Sequence, residues 1–150
     1  MAQLQPGDGA PAFTLLDQSG APVALSEFTG RKVLLYFYPK ADTPGCTTQS
    51  CAMRDIAGQI GTTVILGVSP DKPAKQAKFD QKYGLGFPLL ADEDHAVAEA
   101  YSVWVEKSMY GKKYMGILRS TFLIDEDGRI AQAWYKVAPA ATASNLLASL

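Results

Sequence analysis

Two residues are placed to do chemistry, Cys46 and Cys51. They close the stretch VLLYFYPKADTPGCTTQSC, which opens as an apolar, aromatic run of strand length ending at Pro39, passes through a polar loop and reads next as a helix start. Thr43 is a good N-cap type, Pro44 suits the first helical position because its missing N–H would be unpaired there, and Cys46 falls in the first turn. Unpaired backbone N–H groups and the positive end of the helix dipole stabilise a thiolate at such a position. The thiolate is the nucleophilic form of sulfur, so the indicated chemistry is attack by Cys46 with a second thiol nearby.

An unmarked pair of cysteines ordinarily packs as two small hydrophobes. The Pro39, Thr43, Cys46 spacing at a strand-to-helix junction argues against that here. A structural zinc site needs four ligands, and the chain has two cysteines and one histidine. Gly7, Gly9 and Ala12 formally fit a dinucleotide fingerprint, but no predicted strand precedes them and no helix follows. No cofactor and no metal are expected.

The same residues resemble a family. Pro39, Thr43 and Cys46 match the motif of peroxiredoxins, and Cys51 after four intervening residues resembles the bacterioferritin comigratory protein branch, also called the peroxiredoxin Q type. Further blocks resemble that branch along most of the chain: FTLLDQSGAPVALSEF from Phe13, FPLLADED from Phe87, WVEKSMYGKKYMG from Trp104 and RSTFLIDEDG from Arg119. The resemblance implies a thiol-dependent peroxidase acting on hydrogen peroxide and alkyl hydroperoxides, recycled by thioredoxin or a similar dithiol protein, and monomeric.

Breaking an O–O bond requires a thiolate to attack one oxygen in line while hydrogen bonds meet the negative charge growing on the other. Candidates are the N–H groups of Gly45 and Cys46, the Thr43 hydroxyl and a guanidinium, with Pro39 shielding the sulfur from bulk water. Four arginines compete. Arg54 lies eight residues along the helix, roughly 12 Å of rise away. Arg119 precedes the strand at Ser120–Ile124, whose start faces the cysteine helix in a thioredoxin-like topology, and its position matches an active-site arginine of the family; Arg119 is chosen. Oxidised Cys46 would be a sulfenic acid, which condenses with a thiol, and Cys51 is the other thiol in the chain. On an ideal helix residues five apart have Cα atoms about 8.7 Å apart, whereas a disulfide needs less than about 7 Å. The first turns must therefore unwind. Weak helix formers at Gly45, Thr47, Thr48 and Ser50 suit residues 43–52 to that switch.

The elements that position these groups follow from pattern. Ala12–Leu16 and Pro22–Leu25 read as a hairpin, then Ser26 caps a short turn. Lys32–Tyr38 is near-continuously apolar, as for a central strand of a parallel sheet. A helix from Thr43 to about Gly58, with Met53, Ile56 and Ile60 on its apolar side, leads to a strand at Thr62–Val68, making a right-handed βαβ unit. Pro73–Tyr83 reads as a helix packed by Ala74, Ala77 and Phe79 and closed by Gly84; Phe87–Ala91 as a strand; Glu93–Tyr101 as a helix capped by Asp92. His95 in that acidic run is expected in solvent. Val103–Met115 shows no clean period and reads as a strand stub and loop, its Trp104, Met109, Tyr110, Tyr114 and Met115 either packing or walling the site. Ser120–Ile124 and Arg129–Tyr135 flank Asp127-Gly128 as a second hairpin, and Pro139–Leu150 closes as a helix. The α/β order matches a thioredoxin-like fold with an added N-terminal β-hairpin and an inserted βα unit.

At 150 residues one domain, 1–150, is expected. Net charge −1 and pI near 5.8 give no reason to expect nucleic acid. No apolar run approaches the roughly 18 residues of a membrane span, and the opening MAQLQPGDGAP has neither a charged n-region nor an apolar core, so no membrane association and a cytoplasmic location are expected. Two rival functions stand beside the peroxidase. A thiol-disulfide oxidoreductase predicts two residues between the cysteines and a proline where Ser120 stands. A peroxide sensor or binding module would use the same switch but consume about one equivalent of peroxide per chain.

Overall fold

The computed structural model describes residues 3–149. Met1, Ala2 and Leu150, which the sequence assigns to the polar start and to the closing helix, lie outside them. The strands are β1 (Thr14–Leu16), β2 (Pro22–Ala24), β3 (Val33–Phe37), β4 (Val64–Ser69), β5 (Leu89–Ala91), β6 (Trp104–Met109), β7 (Lys112–Ile117), β8 (Ser120–Ile124) and β9 (Ile130–Trp134). The helices are α1 (Pro44–Ile56), α2 (Pro73–Tyr83), α3 (Ala96–Ala100) and α4 (Ala141–Ser149). Seven strands form one sheet in the order β2-β1-β5-β4-β3-β8-β9, and β6 with β7 forms a separate ribbon.

Strand β3 is central because every residue of VLLYF is apolar and buried. It pairs parallel with β4, Val33 opposite Val64, and antiparallel with β8, Phe37 opposite Ser120. Alternation of side chains sends Val33, Leu35 and Phe37 into one core with Tyr101 and Phe122, and Leu34, Tyr36 and Tyr38 into another. The second core is roofed by α1 through Cys46, Met53 and Ile56 and by α4 through Ala143 and Leu146. The carboxyl end of β3 thus meets the start of α1 and the start of β8.

Local chemistry differs from expectation in several places. Glu27, not Ser26, secures the short helix at Leu25–Phe28, its carboxylate accepting the Ala24 N–H at 2.8 Å. In α2, Ala74 is exposed and Gln76 is buried, donating to Ser69 and to the Leu90 carbonyl; polar bonds let a glutamine take the inward position. Gly84 ends α2 in the left-handed conformation as expected. Helix α3 starts later than read, at Ala96, yet Asp92 still serves it, accepting the Val97 and Ala98 N–H groups. His95 is not simply in solvent: it is half-buried with its ring stacked on Trp104 at 3.9 Å. The N-terminal stretch is exposed but bridges Arg129 from Gly9. The largest difference is the β6–β7 ribbon, six residues a side, where the sequence suggests a stub and a loop.

Candidate active site

Pro39 follows the buried end of β3, half-exposed, and opens the loop to α1. The loop is pinned from below by Asp71, whose carboxylate accepts the Ala41 N–H at 2.7 Å. Thr43 stands at the N-cap with extended backbone, and Pro44 occupies the first helical position. Its hydroxyl does not cap the helix; it donates to the Lys40 carbonyl at 2.8 Å. The first backbone bond of α1 runs from Thr47 N–H to the Thr43 carbonyl at 2.8 Å, so the Gly45 and Cys46 N–H groups precede the helical ladder. Cys46 is 1% exposed and Cys51 is partly buried; both are free thiols on one unbroken helix.

Arg119 Nη2 donates to Cys46 Sγ at 3.3 Å. Its other terminal nitrogen donates to Gln49 Oε1 at 2.6 Å, and Gln49 Nε2 donates to Thr142 Oγ1 on α4 at 2.8 Å. The arginine itself is set by the Val137 N–H, which donates to its carbonyl at 2.9 Å. Gly45 leaves room for this approach: a Cβ there would lie 3.1 Å from Arg119 Nη2 and 3.4 Å from Pro139 Cγ. Below the helix the Tyr36 hydroxyl and Ser50 Oγ lie 2.8 Å apart, and burial pushes the Tyr36 phenol far up, so it remains protonated. Arg54 is engaged elsewhere, with Asp55 and the Tyr83 carbonyl.

The structure therefore joins Cys46 to Arg119 and puts Cys51 on the same helix, with Thr43 at its N-cap and Pro39 at the head of the loop that leads into it. Gln49 and Thr142 complete the guanidinium's setting. The signal for Gln49 is its place three after Cys46 and four before Met53, a polar residue on the buried face of α1 that requires a partner. Thr142 carries no comparable signal, because the meeting of α1 with α4 depends on tertiary packing. Chemically, a guanidinium and the start of a helix converge on one buried sulfur.

Comparison with known proteins decides the family: the model of the AhpC/TSA family matches residues 6–133. The chain belongs to the AhpC/TSA family. Among its relatives is the peroxiredoxin Bcp of Escherichia coli K12, 52% identical over 132 residues that make up 87% of this chain and 85% of that one. A Xylella fastidiosa PrxQ structure aligns with TM-score 0.92 and 33% identity, covering 99% of this chain and 96% of that one. The Xanthomonas campestris bacterioferritin comigratory protein, described for its alkyl peroxide reduction activity, aligns with TM-score 0.87 and 39% identity over 91% of this chain and 88% of that one. Within the AhpC/TSA family the chain thus stands with the Bcp and Q-type peroxiredoxins on a thioredoxin-like fold, as its sequence blocks implied. Among the described residues no helix is long and apolar enough to cross a membrane.

Proposed function

We propose that this chain is a thiol-dependent peroxidase that reduces hydrogen peroxide and alkyl hydroperoxides through Cys46 and Cys51. The observation that carries the reading is the Arg119 guanidinium donating to a buried Cys46 sulfur in the first turn of a helix. In the reaction the Cys46 thiolate attacks one peroxide oxygen, the S–O bond forms, the O–O bond breaks, and the other oxygen leaves as hydroxide or alkoxide that takes a proton. Arg119 holds the thiolate and meets the negative charge on oxygen, the free N–H groups of Gly45 and Cys46 support it, and the Thr43 hydroxyl turns from the Lys40 carbonyl to the peroxide. Pro39 screens the sulfur from water.

The product is a Cys46 sulfenic acid. The Cys51 thiolate attacks its sulfur, hydroxide leaves as water after protonation, and a Cys46–Cys51 disulfide results. Because both residues sit on α1, residues 43–52 unwind in this step. A dithiol protein of the thioredoxin kind then reduces the disulfide, and the enzyme works as a monomer in the cytoplasm.

The test is stopped-flow mixing of the reduced protein with hydrogen peroxide, followed by tryptophan fluorescence. Cys46→Ser should abolish the fast phase. Cys51→Ser should retain it and stall after one turnover. A wild-type protein that reacts no faster than a free thiol would refute the reading, and about one equivalent of peroxide consumed per chain with thioredoxin present would point to a sensor.

A further inference from the structure

Asp42 is the residue before Thr43, and its backbone is left-handed, with φ at 58°. Aspartate tolerates that conformation better than most residues that carry a side chain, but it has to be held there. The holding groups come from the last turn of α2. Tyr83 donates its hydroxyl to Asp42 Oδ1 at 2.9 Å, and Lys82 Nζ donates to Oδ2 at 3.1 Å and to Oδ1 at 3.3 Å. Tyr83 is itself fixed. Its ring meets that of buried Phe79 edge to face with centroids 5.6 Å apart, and its carbonyl accepts Arg54 Nη1 from α1 at 2.6 Å. An exposed ion pair such as that with Lys82 contributes little on its own. The phenol, anchored at the edge of the core, supplies the better fixed bond.

The residues on either side show what this clamp sets. Ala41 is buried and its N–H is taken by Asp71, so the chain before Asp42 is fixed from beneath. Thr43 after it has extended backbone and closes a tight turn with its hydroxyl on the Lys40 carbonyl at 2.8 Å, and Cys46 follows in the first turn of α1. Asp42 is thus the joint between an anchored loop and the helix start that carries the sulfur. We propose that Asp42, clamped by Tyr83 and Lys82, is a positioning residue for the reaction with peroxide, fixing where the Thr43 hydroxyl stands relative to the Cys46 sulfur. The proposal rests on Cys46 being the attacking thiol. Asp42 is exposed and acts through Thr43, its neighbour in the chain. Misplacing a reacting group by about 1 Å costs up to about 100-fold in rate, so a clamp on the surface bears on chemistry at a buried sulfur.

The experiment measures the second-order rate constant with hydrogen peroxide in the Cys51→Ser background and without reductant, where only the attack is seen. Asp42→Ala and Asp42→Gly should react about three- to tenfold more slowly than the parent, and Tyr83→Phe about two- to fivefold more slowly. Asp42→Asn still accepts the Tyr83 hydroxyl and tolerates a left-handed backbone, so it should stay within about twofold of the parent. Asp42→Gly separates the clamp from the backbone, since glycine adopts a φ of 58° freely. An Asp42→Gly variant as fast as the parent, or an Asp42→Asn variant as slow as Asp42→Ala, overturns the proposal. Thr43→Val supplies the second readout: with the hydroxyl gone, adding Asp42→Ala should cost less than about twofold more. Losses that multiply in full in the double variant mark a general loosening of the loop and overturn the proposal. A fast phase lost in Cys46→Ser yet unchanged in the Asp42 and Tyr83 variants overturns it alone; a fast phase that survives Cys46→Ser overturns the reading of the site with it.

Discussion

Stabilising the first turns of α1 should slow disulfide formation and leave the attack on peroxide unchanged. On the intact helix the Cα atoms of Cys46 and Cys51 stand about 8.7 Å apart, beyond the roughly 7 Å that a disulfide spans, so the second step waits for unwinding. Thr47 and Thr48 are the residues to change: Thr48 is exposed, Thr47 half-exposed, and neither side chain bonds to Arg119 or Gln49. The Thr48 hydroxyl donates to the Pro44 carbonyl at 3.0 Å, a back-bond that does not strengthen a helix. Replacing both threonines by alanine adds about 0.6 kcal/mol of propensity each, about 1.2 kcal/mol together, which is about a sevenfold fall in the unwound fraction. In stopped-flow, the phase for sulfenic acid formation should keep its rate and the following phase should slow about sevenfold. The sulfenic acid then waits longer, so mass spectrometry after repeated turnover should find more sulfinic acid at Cys46. A variant with a more stable helix, seen as greater amide-exchange protection over residues 47–52, whose disulfide phase matched the wild type would refute the reasoning.

Arg119→Met removes the charge-assisted bond to Cys46 and strands Gln49; a bond of that kind contributes about 1.5–3 kcal/mol, so the first-step rate should fall about 10- to 100-fold, and Arg119→Lys should recover only part of it. Gly45→Ala forces the guanidinium to yield a few tenths of an ångström, and should slow the same step by about two- to fivefold without changing the unfolding midpoint much. Asp92→Ala frees the Val97 and Ala98 N–H groups and should cost about 1–2 kcal/mol in urea unfolding. Burial raises the Asp92 carboxyl above 3.8, so the folded chain binds that proton more readily than the unfolded one. Its contribution therefore grows as pH falls towards 3.8 and declines as pH rises through the raised value, a slope the alanine variant should lack when the two unfolding curves are subtracted.

The parts legible in the sequence are those where one pattern had one solution. VLLYF had to be a strand covered on both faces, Pro44 and Gly84 punctuate helices by their own backbone limits, and Asp127-Gly128 makes a turn wherever the flanks pair. The meeting of Arg119 with Cys46 was legible because topology and the family resemblance agree on it. The ribbon was not, for a physical reason: most of β6 and β7 faces solvent on both sides, so no burial alternation is imposed on Glu106–Met115. Its turn, at Tyr110 and Gly111, takes positive φ at both residues, 52° and 80°, a conformation signalled far more strongly by Asn-Gly. Thr43 shows a different limit. The residue type chose the N-cap position correctly, but the hydroxyl found a carbonyl acceptor at Lys40 that only the folded loop supplies.

The bonds of the site fall on a particular part of α1. Arg119 holds Cys46 and Gln49, and Thr142 holds Gln49, so the first two turns are fastened by polar contacts that converge on the sulfur and its neighbour. Farther along, Met53 and Ile56 are fixed by burial in the core beneath the helix. Hydrophobic burial does not depend on the charge of sulfur, whereas the Arg119 bond is strongest to a thiolate and weaker to a neutral sulfenic acid. On the proposed mechanism, oxidation of Cys46 loosens the half of α1 that unwinds and leaves the other half anchored. Cys51 lies at the border between them, partly buried, one residue after the Ser50 that meets Tyr36. Acting as the proposed resolving thiol, Cys51 would stay close to the fixed half, and the segment carrying Cys46 would make the movement.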